Sequence, residues 1–178
     1  MGKCGILGHI VERCGEFAHH LGPETSAKWG DIEQMFLGRF GHSIDEKGRL
    51  TIPSKYRDTL STGVVITPGL DRCLWVLPLS EWGDIAEKVK QFSLMKKDTR
   101  SFVRFWFSGA TDCIPDKQGR ILIPTYLRDY ANLSDEVIIA GVQNRLEIWN
   151  PDAFQKSDTM LQDDVEGLAE RLGEFGIL

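Results

Sequence analysis

Two short polar segments carry the residue types that are most informative about chemistry. Asp45–Arg49 and Asp116–Arg120 share the pattern D-x-x-G-R. An arginine on a short, stiff turn can form a bidentate pair with a phosphate, or with O6 and N7 of a guanine in the major groove, which admits a two-stranded ribbon. The glycine removes a side chain where the backbone must turn tightly or approach a phosphate closely. Both segments therefore predict turns that bind nucleic acid.

The aspartate of each segment cannot favour DNA directly, because it repels phosphate. It is better suited to accept hydrogen bonds from the amides of its own turn, and to hold the arginine until DNA arrives. The predicted DNA-binding residues lie in both turns and at one position before them: Lys47, Gly48, Arg49, Lys117, Arg120 and Arg39. The predicted turn-supporting residues are Asp45, Asp116 and Gly119.

Alternative roles are open for these residues. The glycines also fit a purely conformational role, and the arginines also fit internal salt bridges to the aspartates four residues earlier. The two turns are not equivalent, because the lysine of the second turn stands one position earlier than Lys47 does, and Gln118 takes its place. The first turn is therefore the stronger candidate for the main contact.

The two segments begin a repeat that extends well beyond the turns. Residues 45–60 return 71 positions later as residues 116–131, with the shared frame D-x-x-G-R-(L/I)-x-I-P-x-x-x-R-D. A match of this length indicates a duplicated supersecondary unit. We expect each copy to form strand, turn, strand, short helix, strand and strand. The proline of the frame suits a first helical turn, and Gly69 and Gly141 suit the turns between the last two strands of each copy.

The sequence resembles the MraZ family of bacterial transcriptional regulators in three features. They are the doubled motif at this spacing, the opening Met35-Phe-Leu-Gly and the helical segment between the copies. The resemblance runs from about Met35 to the C-terminus. It implies a mainly β fold with short helices (α+β). In that fold, two tandem swapped-hairpin units of the SpoVT-AbrB type are accompanied by a helical spacer and a C-terminal helix.

The same resemblance implies what the protein binds. Family members are expected to regulate the division and cell-wall gene cluster, including their own promoter, by binding G-rich direct repeats in double-stranded DNA. Repression, a ring-like homo-oligomer (an octamer is expected), and a cytoplasmic, nucleoid-associated location are further expectations. The alternative is an antitoxin-like or scaffold protein of the same β architecture, whose acidic tail occupies a protein partner. Two units and a short, patterned tail favour the regulator.

Five segments follow from the repeat and the charge distribution. In chain order we expect an unmatched leader that is disordered or not translated (1–34), a first SpoVT-AbrB-type unit (39–82), a helical spacer (83–109), a second unit (110–154) and an acidic amphipathic tail helix (155–178). The net charge of −5 is concentrated in the tail, because residues 152–178 hold seven acidic and two basic residues. Local positive charge, rather than the total, decides nucleic-acid binding.

Other basic residues lie outside the turns. Secondary candidates for contacts with the DNA backbone are Lys55, Lys96, Lys97, Arg100 and Arg104. A run of charge on a helix is also typical of a solvated face, so residues 96–104 have that alternative. The Arg-Asp pairs at 57–58 and 128–129 favour structural ion pairs or interface contacts.

Neither an enzyme nor a cofactor is indicated. The sequence has no P-loop, dinucleotide-binding, zinc-protease or nucleophile-elbow motif. Cys4, His9, Cys14 and His19 recur every five residues, but they lack the close cysteine pair that structural zinc prefers. The absence of C-x-x-C pairs fits free thiols in a reducing cytosol. No apolar run reaches the roughly 18 residues of a membrane span. We expect no metal, no small-molecule substrate and no membrane association.

The leader has a coding peculiarity. Trp29-Gly30 must be encoded TGG-GGN, so the DNA before Met35 contains TGGGG, and Cys4-Gly5 and Cys14-Gly15 must both be encoded TGY-GGN. The family resemblance implies direct repeats with a TGGG core close to the start of the gene. We therefore expect that translation begins at Met35 and that the leader is the operator read as protein.

Overall fold

The strands of both repeats are short and are separated by short helices. The computed structural model describes residues 35–173, so the predictions made for the leader and for the last five residues of the tail lie outside the described residues. The strands are β1 (Phe36–Ser43), β2 (Arg49–Thr51), β3 (Val64–Pro68), β4 (Leu74–Pro78), β5 (Thr111–Cys113), β6 (Arg120–Leu122), β7 (Glu136–Gln143) and β8 (Arg145–Trp149). The helices are α1 (Arg57–Leu60), α2 (Leu79–Lys90), α3 (Lys97–Ser108), α4 (Thr125–Tyr130), α5 (Pro151–Asp163) and α6 (Val165–Gly173).

The main sheet is antiparallel and is built from both repeats. Its six strands lie in the order β1-β7-β8-β4-β3-β5. β1, from the start of the first repeat, pairs with β7 of the second from Phe36↔Gln143 to Ser43↔Glu136. β5, which opens the second repeat, pairs with β3 of the first. The repeats thus exchange strands within one chain, and the predicted mainly β fold with short helices is confirmed.

A separate two-stranded ribbon joins β2 to β6, with Leu50 opposite Ile121. Side chains alternate across a strand, so Leu50 and Ile52 share one face, as do Ile121 and Ile123. All four are buried in the common core. Core packing therefore explains why both copies of the repeat have apolar residues at these positions. The polar residues that the copies share need another explanation.

Each strand of the ribbon leads through a proline into a short helical segment. Pro53 and Pro124 stand immediately before the first turn, with φ of −51° and −56°. Proline is tolerated there, because the N–H that it lacks would have no acceptor within the helix. Leu60 of α1 and Leu127 of α4 are fully buried, which anchors both helices to the core.

Gly141 does not lie in a turn, so that sequence prediction is wrong. It stands inside β7, opposite Gly38 of β1, and the chain reverses at Asn144 instead. Its role is steric, because a Cβ at this position would lie 2.5 Å from the backbone nitrogen of Leu37 and 2.6 Å from the carbonyl carbon of Phe36. The glycine therefore allows β1 to approach β7 closely.

Replacing Gly141 with alanine is expected to lower the free energy of unfolding by about 1–3 kcal/mol, the range for overpacking, because backbone atoms cannot move aside. Gly41→Ala in β1 is the matched control, since a Cβ there meets nothing within 4 Å. Its effect should stay within about 0.5 kcal/mol. Denaturant unfolding measures both variants, and equal stability of the two would contradict the pairing of β1 with β7.

The spacer between the repeats consists of two helices, α2 and α3. Trp106 fixes α3 to β3: its Nε1 donates to the carbonyl of Pro68 at 3.1 Å, and its own carbonyl accepts from Oγ1 of Thr67 at 3.2 Å. The aromatic residues of the spacer also pack on one another, with Trp82 and Trp106 ring centroids 5.5 Å apart. This part of the spacer belongs to the body of the fold.

The tail forms two helices where one was expected from residue 155. The first begins earlier, at Pro151, because Oδ1 of Asn150 accepts hydrogen bonds from the nitrogens of Asp152 and Ala153 at 3.0 and 3.1 Å. Asparagine is a preferred N-cap, and proline suits the first helical position. The helix ends before Asp164, and α6 follows directly.

Candidate nucleic-acid interface

A single carboxylate holds the first D-x-x-G-R turn. Oδ1 of Asp45 accepts hydrogen bonds from the backbone nitrogens of Lys47 and Arg49 at 3.0 and 2.9 Å. Oδ2 accepts from Nε of Arg49 at 2.8 Å and lies 2.7 Å from Nη2 of the same side chain. The carbonyl of Asp45 accepts from the nitrogen of Gly48 at 2.7 Å. Asp45 therefore closes the turn and orients its arginine.

The second turn has the same geometry. Oδ1 of Asp116 accepts from the nitrogens of Gln118 and Arg120 at 2.9 and 3.0 Å. Oδ2 accepts from Nε of Arg120 at 2.8 Å and lies 2.6 Å from Nη2. Corresponding distances in the two turns differ by no more than 0.1 Å. The polar residues that the two copies of the repeat share are thus those that form the same turn in each copy.

The internal salt bridge, left open by the sequence, is present at both arginines. It does not exclude contact with DNA. A guanidinium has five N–H donors in a planar fork, and Asp45 occupies only the edge formed by Nε and Nη2 of Arg49. The other edge, Nη1 with Nη2, has the geometry for a second bidentate pair. The side chains of Arg49 and Arg120 are 32% and 26% exposed, so each turn holds a partly buried arginine in a fixed direction.

The lysines of the turns are exposed instead. Lys47 and Lys117 both project into solvent. Neither forms an ion pair within residues 35–173. Because an arginine paired with a carboxylate adds little net charge, these lysines supply the open positive charge of the turn tips. They suit contacts with the phosphate backbone, which position a protein without reading sequence.

Pairing with the arginines shifts the ionisation of both aspartates. The hydrogen bond from the Arg49 side chain is the main cause that lowers the pKa of Asp45 to about 2, and Arg120 does the same for Asp116. The bond to Asp45 raises the pKa of Arg49 in return, with a smaller electrostatic contribution from Asp116. The two turns are thus close enough for one to influence the charges of the other.

Both aspartates are expected to stay ionised well below their ordinary pKa of 3.8. Because the pKa is lower in the folded state, the carboxylates stabilise the turns above pH 3.8, and this contribution is lost as the pH falls through about 2. Carbon-detected NMR titration should therefore give carboxyl midpoints near 2 for both residues. In an Arg49→Gln variant, the midpoint of Asp45 should rise while that of Asp116 stays low. Ordinary midpoints in the wild type would mean that these salt bridges do not form.

Gly48 and Gly119 are required for two reasons. Their φ values of 77° and 73° lie in the region that favours glycine. Each also lies beneath an arginine from the other repeat. A Cβ on Gly119 would lie 2.5 Å from Nε of Arg57, and one on Gly48 would lie 3.3 Å from Cζ of Arg128. The glycines therefore shape the turns and admit a second arginine to each.

These second arginines are the functional candidates that sequence reasoning missed. Arg57 and Arg128 form no ion pair within the described residues, so the ion-pair interpretation is wrong there. Nε of Arg57 donates to the carbonyl of Ile52 at 3.1 Å. Nε of Arg128 is buried without a hydrogen-bond partner, while its Nη2 donates to Oγ1 of Thr125 at 3.1 Å. The available signal was their identical spacing, eight residues after the turn arginine in both copies.

The ribbon fastens the two turns to each other. The nitrogen of Ile52 donates to the carbonyl of Gly119, and the nitrogen of Ile123 donates to the carbonyl of Gly48, both at 2.8 Å. Because β2 and β6 are antiparallel, each turn is bonded to the far end of the other repeat's strand. The turns, the ribbon and the four arginines form one unit, which we call the turn module.

Arg39 is not part of the turn module. It lies on β1, and its guanidinium makes a bidentate pair with the carboxylate of Asp158 on α5, at 2.8 and 2.9 Å. The same group lies 4.9 Å from the ring centroid of Phe154. Its side chain remains 60% exposed. This geometry gives Arg39 a part in holding the tail helix against the sheet; its predicted contact with DNA stays a prediction.

Both repeats match one protein family. The family model described as MraZ protein, antitoxin-like, matches residues 35–105 and again residues 106–173. The chain belongs to the MraZ family. Relatives named transcriptional regulator MraZ share 143 aligned residues with it, which are 80% of this chain and 100% of each relative: the protein of Pediococcus pentosaceus is 49% identical, and those of Moorella thermoacetica and Natranaerobius thermophilus are each 46% identical. The family resemblance based on the doubled D-x-x-G-R motif is thus confirmed.

Other features of the described chain add no second site to this MraZ family member. No helix within residues 35–173 is long and apolar enough to cross a membrane. The same residues contain no group of three His, Cys, Asp or Glu side chains that could hold a metal ion; the zinc pattern considered above falls in the leader. Burial raises the pKa of the Cys73 thiol to about 12, so it stays protonated and unreactive at neutral pH.

Proposed function

We propose that this protein is a sequence-specific, DNA-binding transcriptional regulator that uses its turn module to bind G-rich direct repeats in promoter DNA. Its proposed role is repression of the division and cell-wall gene cluster, including its own gene. Its proposed form is a ring-shaped homo-oligomer, an octamer by expectation, in the cytoplasm and associated with the nucleoid. It acts by binding alone, without catalysis or a cofactor.

The proposal is carried by two turns of matching geometry, each holding an arginine, that are bonded to the ends of one ribbon. A two-stranded ribbon fits the major groove. The turn arginines are held by Asp45 and Asp116 at fixed positions, so little side-chain freedom is lost on binding. The chain belongs to the MraZ family, and its relatives are named transcriptional regulators, which supports the same function.

The first turn is proposed to make the main contact. It carries Lys47 at its third position, where the second turn carries Gln118. It also lies beneath Arg128, whose buried Nε has no hydrogen-bond partner among residues 35–173. Arg49 would read guanine with its outer edge while Asp45 keeps the inner edge. Lys47 would contact an adjacent phosphate, which adds affinity that depends on salt.

A gel-shift titration tests this function with DNA from upstream of the protein's own gene. The control is a fragment of equal length and composition in scrambled order. We expect binding of the promoter fragment at a protein concentration at least about 10³-fold lower than the control, the usual lower bound for specific recognition. Equal binding of both fragments, or none, would favour the alternative, an antitoxin-like or scaffold protein that acts through protein partners.

A further inference from the structure

The ribbon of β2 and β6 has an outer face that takes no part in the core. Side chains alternate across a strand, so the neighbours of the buried Leu50 and Ile121 point away from the core. These outward residues are Arg49, Thr51, Arg120 and Leu122. Three of them are half-buried, whereas Leu122 is 54% exposed. An exposed leucine therefore stands on the same face of the ribbon as both turn arginines.

The register of the ribbon makes Leu122 the direct neighbour of Arg49. The two residues are partners across the antiparallel ladder, and opposite residues of such a pair have Cβ atoms about 4.5–5.5 Å apart. At the other end of the ribbon, Thr51 is the partner of Arg120. The outer face is thus not symmetric. The arginine of the first turn lies beside a leucine from the second repeat, and the arginine of the second turn lies beside a threonine from the first.

A second exposed apolar residue supports this asymmetry. Ile114, which is 74% exposed, stands two residues before the second turn, and Leu122 stands two residues after it. The corresponding positions of the first repeat hold Ser43 and Thr51. Because the first repeat forms the same turn with hydroxyl side chains at these positions, the fold does not require apolar ones. The apolar side chains beside the second turn therefore need an explanation outside the fold.

The exposed leucine lies among cationic side chains. Arg49 and Arg120 share its face of the ribbon, and Lys47 and Lys117 are exposed at the turn tips. A surface of this kind suits a polyanion that also offers an apolar group. In the major groove of DNA that group is the C5-methyl of thymine, because the other groups that distinguish the base pairs there are hydrogen-bond donors and acceptors.

We propose that Leu122 contacts the C5-methyl group of a thymine adjacent to the guanine that Arg49 reads. Successive bases of one strand are about 3.4 Å apart along the helix axis, so two side chains that start about 5 Å apart reach neighbouring base pairs. Each repeat supplies one residue of this pair, and the pairing of β2 with β6 brings them together. This inference rests on the proposed function and deepens it, because it names a second base of the recognised sequence.

Removal of a single methyl group from the DNA tests the contact with the full-length chain. In promoter DNA, each thymine of one repeat is replaced in turn by deoxyuridine, which lacks only the C5-methyl, and fluorescence anisotropy at fixed salt gives the affinity. For the wild type, one of these replacements should weaken binding about 4-fold, the value expected for burying one methyl-sized group. Leu122→Ala should bind the thymine and deoxyuridine forms equally.

Leu70→Ala is the matched control. Leu70 is 57% exposed and lies between β3 and β4, outside the turn module, so this variant should keep the full difference between thymine and deoxyuridine. Circular dichroism confirms that each variant is folded. Leu122→Gln, which keeps the length of the side chain without its apolar end, takes the place of the alanine variant if that one does not fold, and the same loss of discrimination is expected.

Equal affinity of the wild type for every thymine and deoxyuridine form would overturn the contact, and so would a Leu122→Ala protein that keeps the difference. If the wild type shows no difference and Leu122→Ala lowers the mass of the DNA-free protein in light scattering, the outer face belongs to a protein contact instead. None of these results affects the proposed function while the promoter fragment is bound in preference to the scrambled one. Loss of that preference in the wild type would overturn both.

Discussion

Arg49→Ala is expected to abolish specific binding to the promoter repeats while the protein stays folded. A turn arginine that reads guanine contributes about 1–3 kcal/mol, or roughly 5- to 150-fold in affinity per contact, and the loss recurs in every subunit that touches DNA. Among residues 35–173, the side chain of Arg49 makes hydrogen bonds to Asp45 alone. After the substitution, Asp45 would still accept from the backbone nitrogens of Lys47 and of residue 49, so the turn should persist.

Arg120→Ala is the matched control, because its salt bridge to Asp116 has the same geometry. We expect a milder loss of affinity, since the second turn carries Gln118 in place of the lysine. Fluorescence anisotropy gives the two affinities, and circular dichroism gives the folded state. An unfolded Arg49→Ala protein would show that the bond to Asp45 is structural. Equal losses of affinity in the two variants would show that the first turn does not make the main contact with DNA.

Shortening the operator to one repeat should lower affinity by at least about 10²-fold, the lower range for the gain from linked binding sites. One turn module has few cations, and each phosphate contact adds modestly and depends on salt. Several modules on one assembly multiply the affinity only if the repeats match their spacing. Titrations with one, two and three repeats at fixed salt measure this effect.

Changing the spacing between intact repeats by half a helical turn, about 5 base pairs, is the control. It preserves every base while placing the next repeat on the opposite side of the duplex, so affinity should fall nearly as far as it does with one repeat. A lone repeat that binds as tightly as the full array would exclude a multivalent mechanism. It would not affect the roles of Arg49 and Asp45 in each turn.

The repeat made most of the local structure predictable. D-x-x-G-R predicts a turn because glycine permits positive φ, and aspartate accepts from the amides that follow it. The proline predicts a helix start because it needs no hydrogen-bond acceptor at its nitrogen. These are interactions over a few residues, so the amino-acid types specify them directly.

Contacts between distant parts of the chain were not predictable in this way. Glycine is a residue type typical of turns, which is why a turn was predicted at Gly141. Only the close approach of β1 at Leu37 shows why it stands inside a strand. Arg57 and Arg128 each stand beside an aspartate in sequence, which suggested ion pairs. Their true neighbours, Gly119 and Gly48, lie in the other repeat, and strand exchange between repeats leaves no local signal.

Photocrosslinking from the turn tips tests directly whether the turn module contacts the operator. Glu46 and Gln118 are exposed residues of the first and second turns, and Glu136 is an exposed residue outside the turn module. A benzophenone side chain can replace each in turn without removing a cation. We expect strong crosslinks to the G-rich repeats from position 46, weaker ones from position 118, and none from position 136. Operator binding that is retained without a crosslink from position 46 would contradict this expectation.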